Sequence, residues 1–150
     1  MNLYYREYGS YSQERPSIVM LHGLFGSSAN WHTVARGLSA EYHVIVPDLR
    51  NHGRSPHSDE MDYPLMVQDL GHLLEEHGLD SALLVGHSMG GVISQFVMKN
   101  PGQSLWEMRF TRPLDDLDLS SESREILRGA FFFEPLPFVS RVILMAAPHR

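Results

Sequence analysis

The sequence predicts an α/β fold, a single domain built on a doubly wound, mostly parallel sheet. Three short apolar runs, "SIVML", "HVIVP" and "SALLVG", suit strands buried on both faces, as in a parallel sheet covered by helices. After each comes a stretch whose apolar residues fall at helical spacing, and strands alternating with helices build a parallel sheet. At 150 residues the chain is long enough for one real core but not for two.

Taken in order, "LYYREYG" alternates well enough for a strand, and "SIVMLHG" is the first buried one. "SSANWHTVARGLS" reads as a helix capped by Ser27 or Ser28, with Trp31, Val34, Ala35 and Leu38 on its inner face. "YHVIVPDLR" is the next strand. "MDYPLMVQDLGHLLEEHG" is a helix with Asp62 as its cap, Met66, Leu70, Leu73 and Leu74 on one face, and Gly78 at its end. "SALLVG" is the third buried strand, and "GGVISQFVMKNPG" a helix stopped by Pro101 and Gly102.

Beyond Gly102 the character changes. The stretch to Phe138 mixes acids, prolines and large aromatics, with Ser120 or Ser121 capping a short helix that ends near Gly129. An irregular stretch of this length inside an α/β fold is a lid over a site or a mobile excursion. The expected organisation is therefore a core of residues 1–102 and 139–150 with a lid-like insertion over about 103–138. Phe131, Phe132, Phe133 and Phe138 either line an acyl pocket or fill core. "RVILMAA" is the last strand.

Composition removes several function classes. An apolar fraction of 43% and a charged fraction of 20% are those of an ordinary globular protein. A net charge of −6 argues against nucleic acid or an anionic membrane as the main partner. With no cysteine there is no disulfide, thiol nucleophile or thiolate metal site. No set of His, Asp and Glu has metal-ligand spacing, and the glycines near Ser88 lack the Gly-Lys-Ser/Thr ending of a phosphate loop, so no metal or cofactor is expected. The N-terminus lacks the layout of a signal peptide and no run reaches membrane-spanning length, which makes the cytoplasm the expected compartment.

Two segments carry chemistry. Gly86-His87-Ser88-Met89-Gly90 fits G-x-S-x-G, with a strand before it and a helix after. So tight a turn needs flanking positions without bulk, and it holds the serine at the sheet's carboxyl edge over a helix N-terminus that favours negative charge. The plainer alternative is a glycine-rich turn whose serine only caps the helix. "HGLFGSS", from His22 to Ser28, lies between the first buried strand and its helix. An oxyanion hole needs two converging backbone N–H groups, and Met89 and Leu24 are the candidates, with Phe25 the alternative to Leu24. Phe25, Phe131 and Phe132 are the candidate substrate-pocket residues.

"HGLFGSSANW", "VPDLRNHGRSPH" and "LLVGHSMGGV" resemble the α/β-hydrolase superfamily, in particular its small esterase and acyl-thioesterase branch, over about residues 2–102. The stretch from about 105 to 150 is similar to a lipase-like branch with an enlarged segment before the sixth strand, so the two likenesses meet near Gly102 as in a chimera. The resemblance implies Ser88 as nucleophile and Leu24 and Met89 as oxyanion donors. It also implies a triad in the order serine, acid, histidine, the last two on later strands. On that reading the chain is a truncated α/β-hydrolase fold.

The base is the open question, because eight of the nine histidines precede Ser88. The resemblance leaves His22, His52 and His57 without a base role; His32, His72 and His77 read as helix-surface residues and His43 as the start of a strand. His149 remains. Family topology places the last strand beside the one feeding Ser88, about 4.8 Å away, so His149 would emerge on the same edge. Asp115, Asp116, Asp118 and Glu134 could orient it; alternatively His149 is part of an "APHR" turn. Asp48 and Arg50 at a strand's carboxyl end hold loops together or touch substrate.

The expected function is hydrolysis of carboxylic esters, with thioesters a further option, with short to medium acyl chains. The alternative is a catalytically weak or silent module that binds ligands or self-associates. An unpaired apolar "RVILMAA" edge also predicts a homo-oligomer formed through that strand.

Overall fold

The computed structural model describes residues 1–79, 81–98, 106–107, 110–132, 136 and 139–146. Strands β1 (Tyr5–Tyr8), β2 (Ser17–Leu21), β3 (Val44–Pro47), β4 (Ala82–His87) and β5 (Val139–Met145) form a sheet in the order β1-β3-β2-β4-β5. β1 runs antiparallel to β3, and all other neighbours are parallel. Between them lie helices α1 (His32–Leu38), α2 (Tyr63–Glu76), α3 (Met89–Met98) and α4 (Ser121–Phe131).

This order is the doubly wound arrangement. The chain steps one way from β2 to β3, then crosses back past β2 to β4. With crossovers of one hand, opposite steps put their helices on opposite faces of the sheet. The two faces are indeed packed separately. Ile18, Met20, Val44, Val46 and Val85 meet Trp31 and Ala35 at α1, whereas Val19, Leu21, Ile45 and Leu84 meet Leu70, Leu73, Ile93 and Val97 of α2 and α3. All of β2 and β3 is buried, which is why their sequences are continuous apolar runs without alternation. The direction reverses between β2 and β4, and in such sheets the crevice outside the strand ends at that switch point is where ligands bind.

Local signals set the helices. The Asp62 side chain accepts from the Leu65 N–H at 2.8 Å at the start of α2. The helix at "SSANWHTVARGLS" begins as a 3-10 turn, Ser28–Trp31, held by a capping box between Ser27 and Asn30. Its inner face is narrower than the spacing predicts: Trp31 and Ala35 are buried, but Val34 is 48% exposed because so short a helix covers the sheet with one stripe. α4 starts at Ser120 as expected but runs past Gly129 to Phe131.

The described part of the 103–138 stretch packs beside α2. Arg124 donates to the carbonyls of Leu114 and Leu117, and Arg128 pairs with Asp115 at 3.0 Å, tying α4 to the 3-10 turn Leu114–Asp116. Leu136 leans on α2 at Gly71, and its N–H donates to the Val97 carbonyl at 3.2 Å. β5 is the sheet edge among the described residues: Val142 packs on the core, while Ile143 and Met145 are exposed. Among the described residues no helix is long and apolar enough to cross a membrane.

Leu70 is fully buried at the centre of the α2 face. Leu70→Ala is expected to lower the free energy of unfolding by about 2–5 kcal/mol, measured by urea denaturation, without moving the strand-end loops.

Candidate active site

Ser88 stands between the end of β4 and the start of α3, with φ +53. A positive φ on a non-glycine residue stores on the order of 1–3 kcal/mol and persists only where the surroundings enforce it. Two close approaches enforce it. A Cβ on Gly86 would lie 2.4 Å from the Gly90 carbonyl oxygen, and one on Gly90 would lie 2.5 Å from the Leu21 carbonyl oxygen. Glycine at both positions therefore lets α3 settle directly on β4 and β2. The Ser88 N–H donates to the Met145 carbonyl of β5 at 3.0 Å, and the Ser88 carbonyl accepts from Gly91 and Val92. The turn is thus fixed by β5 on one side and by the first turn of α3 on the other. Ser88 is left half-buried, and His87 is exposed. Met89, the first residue of α3, carries an N–H with no intrahelical acceptor.

The loop after β2 lies against this turn. A Cβ on Gly23 would meet the Ser88 Cβ and the His87 Nδ1, each at 3.1 Å. Gly23 to Gly26 form a turn closed by the Gly26 N–H and the Gly23 carbonyl at 3.0 Å. Its third residue, Phe25, has φ +61, where glycine is favoured, and is 93% exposed. Leu24 is 54% exposed. Leu24 and Phe25 thus lie on the loop that touches Ser88 at Gly23, and Met89 directly follows Ser88.

Buried polar groups hold the remaining loops. Asp48 accepts from the N–H groups of Ser28 and Arg54, and its carbonyl accepts from the Ser55 hydroxyl. Arg50 grips Asp69 of α2 with two nitrogens, at 2.6 and 3.0 Å, and donates to the Glu60 carbonyl at 3.0 Å. Both residues are engaged in holding loops. His22 is buried, with Nδ1 2.8 Å from the Gly23 carbonyl and Nε2 accepting from the Leu49 N–H at 3.0 Å. His52 lies beside it, ring centroids 5.1 Å apart. Burial, aided by His52, holds the His22 imidazole below the ordinary histidine range against the opposing pull of the Gly23 hydrogen bond and the Asp48 charge.

Other candidates lie elsewhere. His149, Glu134, Phe133 and Phe138 fall outside the described residues, as does the side chain of Phe131. Phe132 sits against Trp106, ring centroids 5.9 Å apart. Asp115 faces the arginines of α4. His32, His57 and His72 are exposed, and His77 packs edge-on against Tyr5. A Ser–His–Glu chain of hydrogen bonds does exist, and sequence reading missed it: Ser17 Oγ to His43 Nδ1 and His43 Nε2 to Glu7 Oε1, both 2.7 Å. It lies where β2 and β3 begin, the opposite edge from Ser88, and Ser17 is fully buried. This chain ties β1, β2 and β3 together and offers no substrate a path. Among the described residues no cluster of His, Asp and Glu could hold a metal ion.

A strained serine at the switch point of a doubly wound sheet, faced by a glycine-bearing loop from the neighbouring strand, defines an α/β protein of the hydrolase type. The family model of the alpha/beta hydrolase fold matches residues 16–101, and the chain belongs to that family. It is 40% identical over 99 residues to a "probable alcohol acetyltransferase" of Saccharomyces cerevisiae, covering 62% of this chain and 29% of that protein. It is also 40% identical over 107 residues to an sn-1-specific diacylglycerol lipase of Xenopus laevis, covering 70% of this chain and 32% of that one. A solved structure of a marine microorganism esterase superposes with a TM-score of 0.60 at 26% identity, covering 87% of this chain and 59% of the other. The chain thus spans about a third of the length of the two curated relatives.

Gly86→Ala is expected to push α3 off β4, because its Cβ meets backbone rather than a movable side chain. The expected loss is about 1–3 kcal/mol of stability by thermal denaturation, and labelling of Ser88 by a fluorophosphonate should fall with it.

Proposed function

We propose that the protein transfers acyl groups from carboxylic esters of short to medium chain length to water, with Ser88 as nucleophile. The observation that carries this reading is the forced positive φ of Ser88 directly beside the Gly23 loop. Ser88 Oγ forms a bond to the acyl carbon, its proton passes to a base, and the carbonyl oxygen becomes an oxyanion. The N–H groups of Met89 and Leu24 receive that charge, aided by the N-terminal end of α3. Collapse of the intermediate expels the alcohol, which takes up the proton; water then attacks the acyl-serine and releases the acid. Leu24 and Phe25, exposed beside the serine, contact the acyl chain.

For the base we propose His149. It follows Met145 by four residues, and the Met145 carbonyl already binds the Ser88 N–H. Four residues span at most about 14 Å, so the chain can bring the imidazole to the serine.

The likeness to an alcohol acetyltransferase favours a second reading, in which an alcohol rather than water takes the acyl group from Ser88. Both readings use the same acyl-serine, and product analysis in ethanol–water mixtures separates them.

With p-nitrophenyl esters, Ser88→Ala is expected to lower kcat by at least about 10³-fold and to abolish fluorophosphonate labelling. A variant that retains the wild-type rate removes Ser88 from the mechanism. A wild-type protein that neither labels nor turns over is instead a silent module of the same fold.

His149→Ala is expected to lower kcat by at least about 10²-fold and to erase a pH dependence near neutrality. An unchanged pH–rate profile in this variant would leave His149 a turn residue.

A further inference from the structure

The neutral His22 does more than fill space behind the site. We propose that His22, carrying its proton on Nδ1, is the positioning residue that aims the Leu24 N–H of the oxyanion hole, and that a second proton on this ring disables the hole. The inference rests on the Ser88 reading above and concerns regulation of that same site.

The tautomer follows from the partners. Leu49 donates its N–H to Nε2 at 3.0 Å, so Nε2 presents a lone pair and the ring proton sits on Nδ1. Nδ1 then donates to the Gly23 carbonyl at 2.8 Å. That carbonyl also accepts from the Gly26 N–H at 3.0 Å, so it is held by two donors. In a planar trans peptide the C=O and the following N–H point in opposite directions. Fixing the Gly23 carbonyl toward His22 and Gly26 therefore turns the Leu24 N–H away from both, on a segment that touches the Ser88 Cβ at Gly23. A peptide free to rotate would present the oxyanion with a carbonyl oxygen as often as with a donor.

The same network makes the clamp conditional. A doubly protonated ring is donor-only at both nitrogens, so Nε2 and the Leu49 N–H would face each other as two donors in a buried site. Leu49 and His22 are both buried, so the lost acceptor leaves a buried N–H unpaired. Among the described residues, two titratable groups act on His22. His52 lies 5.1 Å away between ring centroids and itself engages the Arg50 carbonyl through Nδ1 at 2.8 Å. Asp48 offers a favourable charge, but two backbone N–H groups already occupy its oxygens. His87 approaches the same loop at Gly23, with Nδ1 3.1 Å from where a Gly23 Cβ would lie. Burial, the largest influence, and His52 both favour the neutral ring, with its transition below the ordinary histidine value of 6.5. The group's folded pKa is depressed, so its contribution to stability is complete above pH 6.5 and is lost as pH falls through the lower folded value.

The test uses His22→Gln, which keeps an amide oxygen near Nε2 for the Leu49 N–H, has no donor at the Nδ1 position and cannot titrate. With p-nitrophenyl esters at pH 7.5 the variant is expected to lose about 10–100-fold in kcat with KM within about twofold, since a misaimed donor costs less than the about 10²–10³-fold of a deleted one. Its thermal stability gap to the wild type should also shrink between pH 7.5 and pH 5. An unchanged kcat, a rise in KM alone, or a gap independent of pH would overturn the assignment. If the variant does not fold, nitrogen NMR of the wild-type imidazole decides: a protonated Nδ1 and bare Nε2 at pH 7.5, with the Leu49 amide shifting as the ring titrates, supports the clamp. The opposite tautomer, or an indifferent Leu49 amide, refutes it. Ser88→Ala separates the two levels, because a wild type that labels and turns over through Ser88 with an unaffected His22→Gln defeats only the clamp.

Discussion

The site depends on a contact between backbones. α3 can rest on β4 and β2 only because Gly86 and Gly90 carry no side chains where the Gly90 and Leu21 carbonyls approach. From that approach follow the positive φ of Ser88, the placement of the first α3 amide beneath it, and the narrow separation between the turn and the loop after β2. The apolar faces of the sheet then act as ballast. Ile93 and Val97 bury themselves with the α2 leucines and hold α3 down against the strain at its first residue. Stability drawn from ordinary packing is thereby available to maintain a conformation that no isolated turn would adopt.

Charge plays a different part. The buried ionic groups at the carboxyl edge, Asp48, Arg50 and Asp69, direct their hydrogen bonds inward, to loop amides and carbonyls and to one another. A bidentate guanidinium–carboxylate pair with its remaining donors on carbonyls holds a loop in one geometry, though it adds little net stability. Beside a serine held at positive φ, such pairs contribute uniqueness of loop geometry more than stability. His22 belongs to this set, as an imidazole whose two nitrogens face a carbonyl and an amide from different loops.

The fold was legible in the sequence because its signals are local. Continuous apolar runs marked β2, β3 and β4, Asp62 and Ser120 marked helix starts, and the glycine pattern around Ser88 marked a turn that tolerates no Cβ. Val34 was misplaced because spacing alone does not reveal how wide a stripe of sheet a seven-residue helix covers. The roles of His22 and His43 were out of reach for a related reason. Each depends on partners 26 or more residues away, Leu49 for one and Ser17 and Glu7 for the other. No spacing rule connects such groups; only the sheet order brings them together. The motif "HGLFGSS" pointed to the loop that touches Ser88, while His22, inside the same motif, gave no sign of its bond to Leu49.

The Ser17–His43–Glu7 chain has a consequence for what a triad is. Its donor–acceptor lengths are those of a catalytic relay, yet every property that gives such a relay its chemistry is missing. Ser17 has an ordinary strand conformation and no exposed surface, and the chain sits where strands enter the sheet, away from any helix N-terminus. Interatomic distances are the cheapest part of nucleophilic catalysis for a fold to produce, arising here as a by-product of stitching three strands. What is scarce is a hydroxyl held at the sheet's carboxyl edge against its own backbone preference, and among the described serines only Ser88 has a positive φ.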